Sequence, residues 1–359
     1  MSLSIVLVFV LVAALAAANG SNDVPKGVAT LAGAGVTKYR TAILWGTVTT
    51  LIGCICSLTL ADKMTKLFSS GIVTAPPTQA FAVAVLAGAV SWVALATVLR
   101  LPVSTTHALI GALLGAGVLL ASDSIAWSAI PTKLVIPLLM SVGVAYGISL
   151  ILALIFNRRS SRTGGETTEA DAQAPATTGS AGTSQSTVLA ADPVTAVATG
   201  STTRTPNRAL TAAHWLTSGA TGFARGLNDT PKIVAIGAFA LVPAGMATWQ
   251  IMLLVAGAMA LGSITGGMRV AKRLGEGVIR MNHKEGFLAN LTTATLVGLG
   301  AGYGLPMSTT HTSTGAIAGS AGPNLSRLSG KTLRHFLIAW VVTPPFAAAV
   351  AAAVFLVAR

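Results

Sequence analysis

The chain has 359 residues, 53% of them apolar and only 9% charged, against roughly 25% charged in an average soluble domain. So few charges cannot coat a globule of this size, which excludes a soluble enzyme. Two cysteines exclude a disulfide scaffold, and continuous apolar runs of about 20 residues, the length that crosses a bilayer as a helix, exclude an alternating β-barrel.

The first apolar unit, 3–36, contains Gly20-Ser21-Asn22-Asp23-Val24-Pro25-Lys26 and is expected to break near Asn22–Pro25. A span over 42–60 follows; its Cys54 and Cys56 face different ways on a helix and read as packing thiols. Segment 80–121 is interrupted at Leu101-Pro102, beside Ser104-Thr105-Thr106-His107, and reads as a re-entrant hairpin. A span over 131–156 closes the first half. Residues 157–210, beginning at Asn157-Arg158-Arg159, are rich in Ser, Thr, Gly and Ala. They carry too little apolar surface to offset the entropy of ordering, and read as a flexible cytoplasmic linker. The second half gives apolar units at 211–244, 247–268, 286–321 and 335–357. Three regions result: a transmembrane repeat at 1–156, the linker at 157–210 and a second repeat at 211–359.

The halves are copies. Gly226-Leu227-Asn228-Asp229-Thr230-Pro231-Lys232 repeats the first string, and Pro306-Met307-Ser308-Thr309-Thr310-His311 repeats Pro102-Val103-Ser104-Thr105-Thr106-His107. Asp23 and His107 are 84 residues apart, Asp229 and His311 82. A hairpin returns to its starting side, so each half crosses three times and the second half is inverted. The formal charge of +13 then marks topology and not nucleic acid. With both termini outside, fifteen of the 23 lysines and arginines, among them Arg158, Arg269, Lys272, Arg273 and Arg334, fall in cytoplasmic loops. Lys63, Lys66, Lys133 and Arg359 fall outside. A cleaved signal peptide over 1–18 is the competing reading of the N-terminus, but it lacks a basic start.

The chemistry sits at the interruptions. Asp23 and Asp229 alone among the ten acidic residues fall inside apolar stretches, and a carboxylate at that depth needs a partner or a job. Asn beside Asp before a helix-breaking Pro suits a discontinuous helix with freed carbonyls and N–H groups; the plainer reading is capping, with each Asp paired to its Lys. Ser104, Thr105 and Thr106, and likewise Ser308, Thr309 and Thr310, place hydroxyls at a helix N-terminus, where a tetrahedral oxyanion finds donors. Ordinary helix capping would use the same residue types. His107 and His311 either lock the hairpin tips or touch substrate.

These paired strings resemble the inorganic phosphate transporter (PiT) family, secondary carriers built as inverted repeats. The resemblance covers both halves and spares only the linker. It implies an all-α polytopic fold with broken helices and re-entrant hairpins, and phosphate held by Ser104, Thr105, Thr106, Ser308, Thr309, Thr310, Asn22 and Asn228. It also implies coupling sodium ions at Asn22, Asp23, Asn228 and Asp229. The family's usual string has Ala-Asn where this chain has Pro25-Lys26 and Pro231-Lys232. Either the two lysines, three residues after each Asp, take the place of a coupling Na⁺, or they snorkel to an interface. The first alternative makes Asp23, Asp229, Lys26 and Lys232 charge-compensating groups and points to H⁺ in place of Na⁺, with Arg225 as a further fixed charge.

The resulting expectation is a plasma-membrane secondary transporter of inorganic phosphate, working by alternating access as an ion-coupled symporter with no cofactor beyond H⁺ or Na⁺. No phosphate-binding loop for ATP is present. A proton-coupled sulfate permease is the runner-up, an anion channel shares the binding groups, and an intramembrane aspartyl protease is the remote alternative. The partners expected are phosphate or sulfate and the lipid bilayer, without nucleic acid; a homodimer is compatible with the architecture.

Overall fold

The computed structural model describes residues 2–162 and 208–359; most of the expected linker, 163–207, lies outside the described residues. The described residues form helices α1 (Leu3–Gly33), α2 (Tyr39–Leu60), α3 (Asp62–Lys66), α4 (Gln79–Val98), α5 (Thr105–Ala121), α6 (Ile136–Arg162), α7 (Arg208–Leu241), α8 (Thr248–Gly277), α9 (His283–Tyr303), α10 (Thr309–Ser320) and α11 (Gly330–Ala358). Seven helical stretches among them are long and apolar enough to cross a membrane. The long helix α7 is not one of the seven; Arg225, Asp229 and Lys232 lie in its middle. Helix α10 has 12 residues and extends only about 18 Å.

Apolar side chains face outward. Leu44, Val48, Ile52 and Ile55 line the exposed side of α2, and Leu139, Met140 and Ile151 that of α6. Lys26, Arg225 and Lys232 are instead among the largest fully buried side chains. That inversion is what a lipid-solvated protein with a polar interior requires.

Two expectations are corrected. Helix α1 runs through Pro25 and α7 through Pro231, so neither is broken. Each proline removes one N–H from the ladder, leaving the carbonyls of Ser21 and Leu227 without their intrahelical donor while the flanking turns stay helical. Gly267 on α8 lies against the Pro25 ring, and a Cβ there would come 3.2 Å from the ring, so the neighbouring helix leaves room for it. The second correction concerns α8, which continues to Gly277, nine residues past the apolar run that ends at 268. Arg269, Lys272 and Arg273 therefore stand on a helix and not in a loop; hydropathy stops at the membrane edge, whereas helix propensity does not.

The two copies exchange partners. Helix α1 packs along α8 and α2 along α7, while α11 packs on α5 and α6 on α10. Glycines set these approaches, in matched pairs. A methyl group on Gly20 would overlap the Met259 carbonyl, and one on Gly226 the Thr50 carbonyl. Gly262 and Gly53 meet Ala17 and Phe223 in the same way. Gly111 and Gly115 lie against Pro344 and Ala348, and Gly315 and Gly319 against Val142 and Tyr146. Each contact in one half has its counterpart in the other, so the duplication seen in the sequence is also a duplication of packing.

One pair of helix ends departs from that symmetry. Helix α9 ends on Gly304 at φ 72°, whereas α4 reaches the same turn, two residues before its Pro, with Arg100 at φ 60°. A side chain in this left-handed region costs roughly 1–2 kcal/mol. In both turns the following leucine N–H reaches back five residues, Leu101 to Ala96 and Leu305 to Gly300. Arg100 is the only non-glycine at positive φ among the described residues.

Candidate functional site

The middles of α1 and α7 meet the N-termini of α5 and α10. Asp23 is 1% exposed and Asp229 2%. Both are closed from solvent, so each charge must be answered from within the protein. Asp23 pairs with Lys26, one turn on along α1. Asp229 lies 3.4 Å from Lys232 and 3.7 Å from Arg225. Three formal cations thus stand against two carboxylates, which leaves one positive charge in excess.

The lysines also reach across the repeats. Lys26 Nζ donates to Thr310 Oγ1 at 2.5 Å, and to the Val103 carbonyl at 2.7 Å. Lys232 Nζ donates to Thr106 Oγ1 at 2.7 Å. Each lysine therefore ties a carboxylate of its own half to the hydroxyl-bearing helix of the other. Thr105 Oγ1 donates to Asp23 at 3.0 Å. Asn22 holds the first hairpin tip, donating to the Leu101 carbonyl at 2.9 Å and accepting from Val103 N at 3.0 Å. Asn228 donates to the Met307 carbonyl at 3.0 Å at the second tip.

Thr105 and Thr310 already donate their hydroxyl protons, to Asp23 and to the Val103 carbonyl. Ser104 and Ser308 serve as N-caps, accepting from His107 N at 3.3 Å and His311 N at 3.2 Å; that bond uses an oxygen lone pair and not the O–H donor. Thr309 is buried beside Thr310. His107 and His311 place their rings 4.6 Å apart, and His311 Nδ1 lies 3.2 Å from the Leu138 carbonyl.

Asn19 stands outside the expected set. Its amide nitrogen lies 2.6 Å from Asp23, 3.0 Å from Thr105 and 3.3 Å from Asp229, joining both carboxylates and one hydroxyl. Arg225 Nη1 donates to Asn19 Oδ1 at 3.0 Å. Nε and Nη2 of Arg225 are buried without a hydrogen-bond partner among the described residues. Those two donors form one edge of the guanidinium, the edge that binds an oxyanion in bidentate fashion. Arg225 is thus a buried cation with an unpaired bidentate edge, beside the two carboxylates. The sequence signal for Asn19 was its position, equivalent to Arg225 in the second copy.

The phosphate transporter family matches residues 19–351, nearly the whole chain. The chain belongs to the phosphate transporter family. It is a multi-pass membrane carrier of inorganic phosphate, not an enzyme. Its relatives include proteins called probable low-affinity inorganic phosphate transporters. That of Rhizobium meliloti (strain 1021) is 28% identical over 93% of this chain and 90% of its own length. That of Bacillus subtilis (strain 168) is 24% identical over 94% and 92%. The fold is similar to a solved structure described as the sodium-dependent phosphate transporter, with a TM-score of 0.71, 21% identity and 99% of both chains covered.

Proposed function

We propose that this chain carries phosphate as its monoanion by alternating access, without sodium. The observation that carries this is the surplus positive charge of the buried cluster. Asp23 and Asp229 already hold ammonium groups, so neither carboxylate is left to a sodium ion. An incoming H₂PO₄⁻ brings the charge to zero, and a neutral buried site is the cheap one. Arg225 presents its Nε–Nη2 edge to the anion, and Thr105, Thr106, Thr309 and Thr310 turn their hydroxyls to the remaining oxygens as the crosswise lysine bonds give way.

The carboxylates favour phosphate over sulfate. H₂PO₄⁻ has two O–H groups to donate to Asp23 and Asp229, whereas sulfate at neutral pH has none and would meet both carboxylates with lone pairs. Because only the protonated form fits, uptake rises as external pH falls toward the second pKa of phosphate. That is coupling to protons through the substrate itself.

An odd number of crossings in each half supports alternating access. If the hairpins α4–α5 and α9–α10 turn back inside the membrane, each half crosses three times; if they reach the far side, five times. Either number is odd, so the halves are inverted and the site at their axis can open to one face or the other. The excess of Lys and Arg around α8 and the 157–210 segment supports a cytoplasmic location for those regions, with both termini outside. The test is uptake of radiolabelled phosphate and sulfate, side by side, into proteoliposomes holding the purified protein. Phosphate uptake well above sulfate is expected, and equal uptake of both would overturn the selectivity argument.

A further inference from the structure

Where α4 ends, an open groove of about 470 Å³ lies between the first hairpin tip and α8, lined by Arg100, Met268, Arg269, Lys272, Arg273, Glu276 and Gly277. Four cations face one carboxylate there. Arg100, Arg269 and Lys272 are exposed, and Nε of Arg273 is buried without a hydrogen-bond partner among the described residues while its Nη2 lies 3.3 Å from His335 Nδ1.

The groove adjoins the buried cluster through covalent structure. Arg100 is followed by Leu101 and Val103, whose carbonyls accept from Asn22 and Lys26, so about 10 Å of chain separates it from the site. On the other wall, Gly267 touches Pro25, between Asp23 and Lys26, and Arg269 and Lys272 follow within two turns. The second copy supplies the contrast. Gly304 stands where Arg100 does and packs against Lys63, so that mouth lacks the arginine. A strained non-glycine in one copy, where its counterpart is glycine, motivates a role for its side chain.

We infer that this groove is a second anion site, which binds a phosphate-type group at one mouth of the pathway. Its ligand is a phosphate-type oxyanion, free inorganic phosphate or the headgroup of an anionic lipid. The inference rests on the phosphate-carrier reading above. The loop and helix charges support a cytoplasmic side for the groove.

The test compares phosphate uptake into right-side-out and inverted membrane vesicles for the wild-type protein, Arg100→Gly and Lys272→Gln. Arg100→Gly relieves the strained turn, so it should keep or raise the melting temperature. It should also raise the half-saturating phosphate about three- to fivefold, the size of an exposed charge contact, at the face bearing the groove only. Lys272→Gln should act at the same face, and raised ionic strength should shrink both effects. Reconstitution in phosphatidylcholine with and without phosphatidylglycerol separates the two sources. A defect that persists in neutral lipid assigns the site to free phosphate, and one confined to anionic vesicles assigns it to headgroups. An unchanged half-saturation at both faces, or an equal change at both, would overturn the inference. Absence of wild-type phosphate uptake would instead overturn the carrier reading on which it rests.

Discussion

Arg225 donates to Asn19 across 3.0 Å, and the two residues hold the same place in the two copies, 206 positions apart. They meet where α1 and α7 pass each other, between Asp23 and Asp229, so the asymmetry of the site is concentrated on its own axis. One copy contributes an amide that binds both carboxylates, and the other a guanidinium that adds the unbalanced charge. A symmetric pair of asparagines would leave the cluster neutral before any anion arrived.

Arg225→Gln therefore removes the surplus charge and the bidentate edge while keeping a donor for Asn19. A charge-assisted hydrogen bond contributes about 1.5–3 kcal/mol, so kcat/KM for phosphate should fall at least about tenfold. Arg225→Lys, which restores charge without the planar edge, should recover part of the loss. Uptake kinetics of the reconstituted variants give the answer.

Asp23→Asn and Asp229→Asn should each abolish transport while the protein still inserts and elutes as a single species in detergent. Each also strands a buried ammonium, and breaking a buried pair costs about 3–5 kcal/mol. The melting temperature should drop with the activity. Wild-type rates in both variants would remove the two aspartates from the site.

Thr105 donates to Asp23 and accepts from Asn19. Thr105→Val leaves both partners short of a bond in a dry site, about 1–3 kcal/mol for the unsatisfied group. Half-saturating phosphate should rise roughly tenfold in concentration-dependent uptake. Ser104→Ala should lower the melting temperature, because the Ser104 oxygen caps α5 by accepting from His107 N.

Gly262→Ala drives a methyl group into the Ala17 carbonyl, and Gly53→Ala does the same at Phe223. Overpacking of this kind costs about 1–3 kcal/mol, and the two variants should lose thermal stability by similar amounts because the contacts are counterparts. Gly257, with nothing within 4 Å of an added Cβ, is the control in the same helix as Gly262. Gly257→Ala should leave the melting temperature unchanged or higher.

The sequence carried the duplicated strings, because identical polar residues inside apolar runs stand out, and it marked Asp23 and Asp229; it left Lys26 and Lys232 between a site role and an interface, and their burial rules out the interface. It did not carry the pairing of Asn19 with Arg225. Equivalent positions that hold different residue types look like the absence of a repeat, and only their packing shows that they meet. Neither did it carry the crosswise reach of Lys26 to Thr310, since nothing in spacing says that the repeats exchange α2 for α8 and α6 for α11. The break expected at Pro25 failed for a local reason: one missing N–H does not end a helix whose flanking turns stay helical. Helix α8 outran its apolar segment because Arg269, Lys272 and Arg273 are good helix formers beyond the hydrophobic stretch.

Lys26 and Lys232 carry the central claim, that ammonium groups of the protein stand where a coupling cation would. The direct measurement is phosphate uptake into proteoliposomes with Na⁺ replaced by choline, with and without an inward proton gradient, for the wild-type chain and the double variant Lys26→Asn/Lys232→Asn. The account predicts wild-type uptake that is indifferent to Na⁺ and rises with the proton gradient, and a double variant that gains dependence on Na⁺. Wild-type uptake that stops in choline and ignores the proton gradient would contradict it.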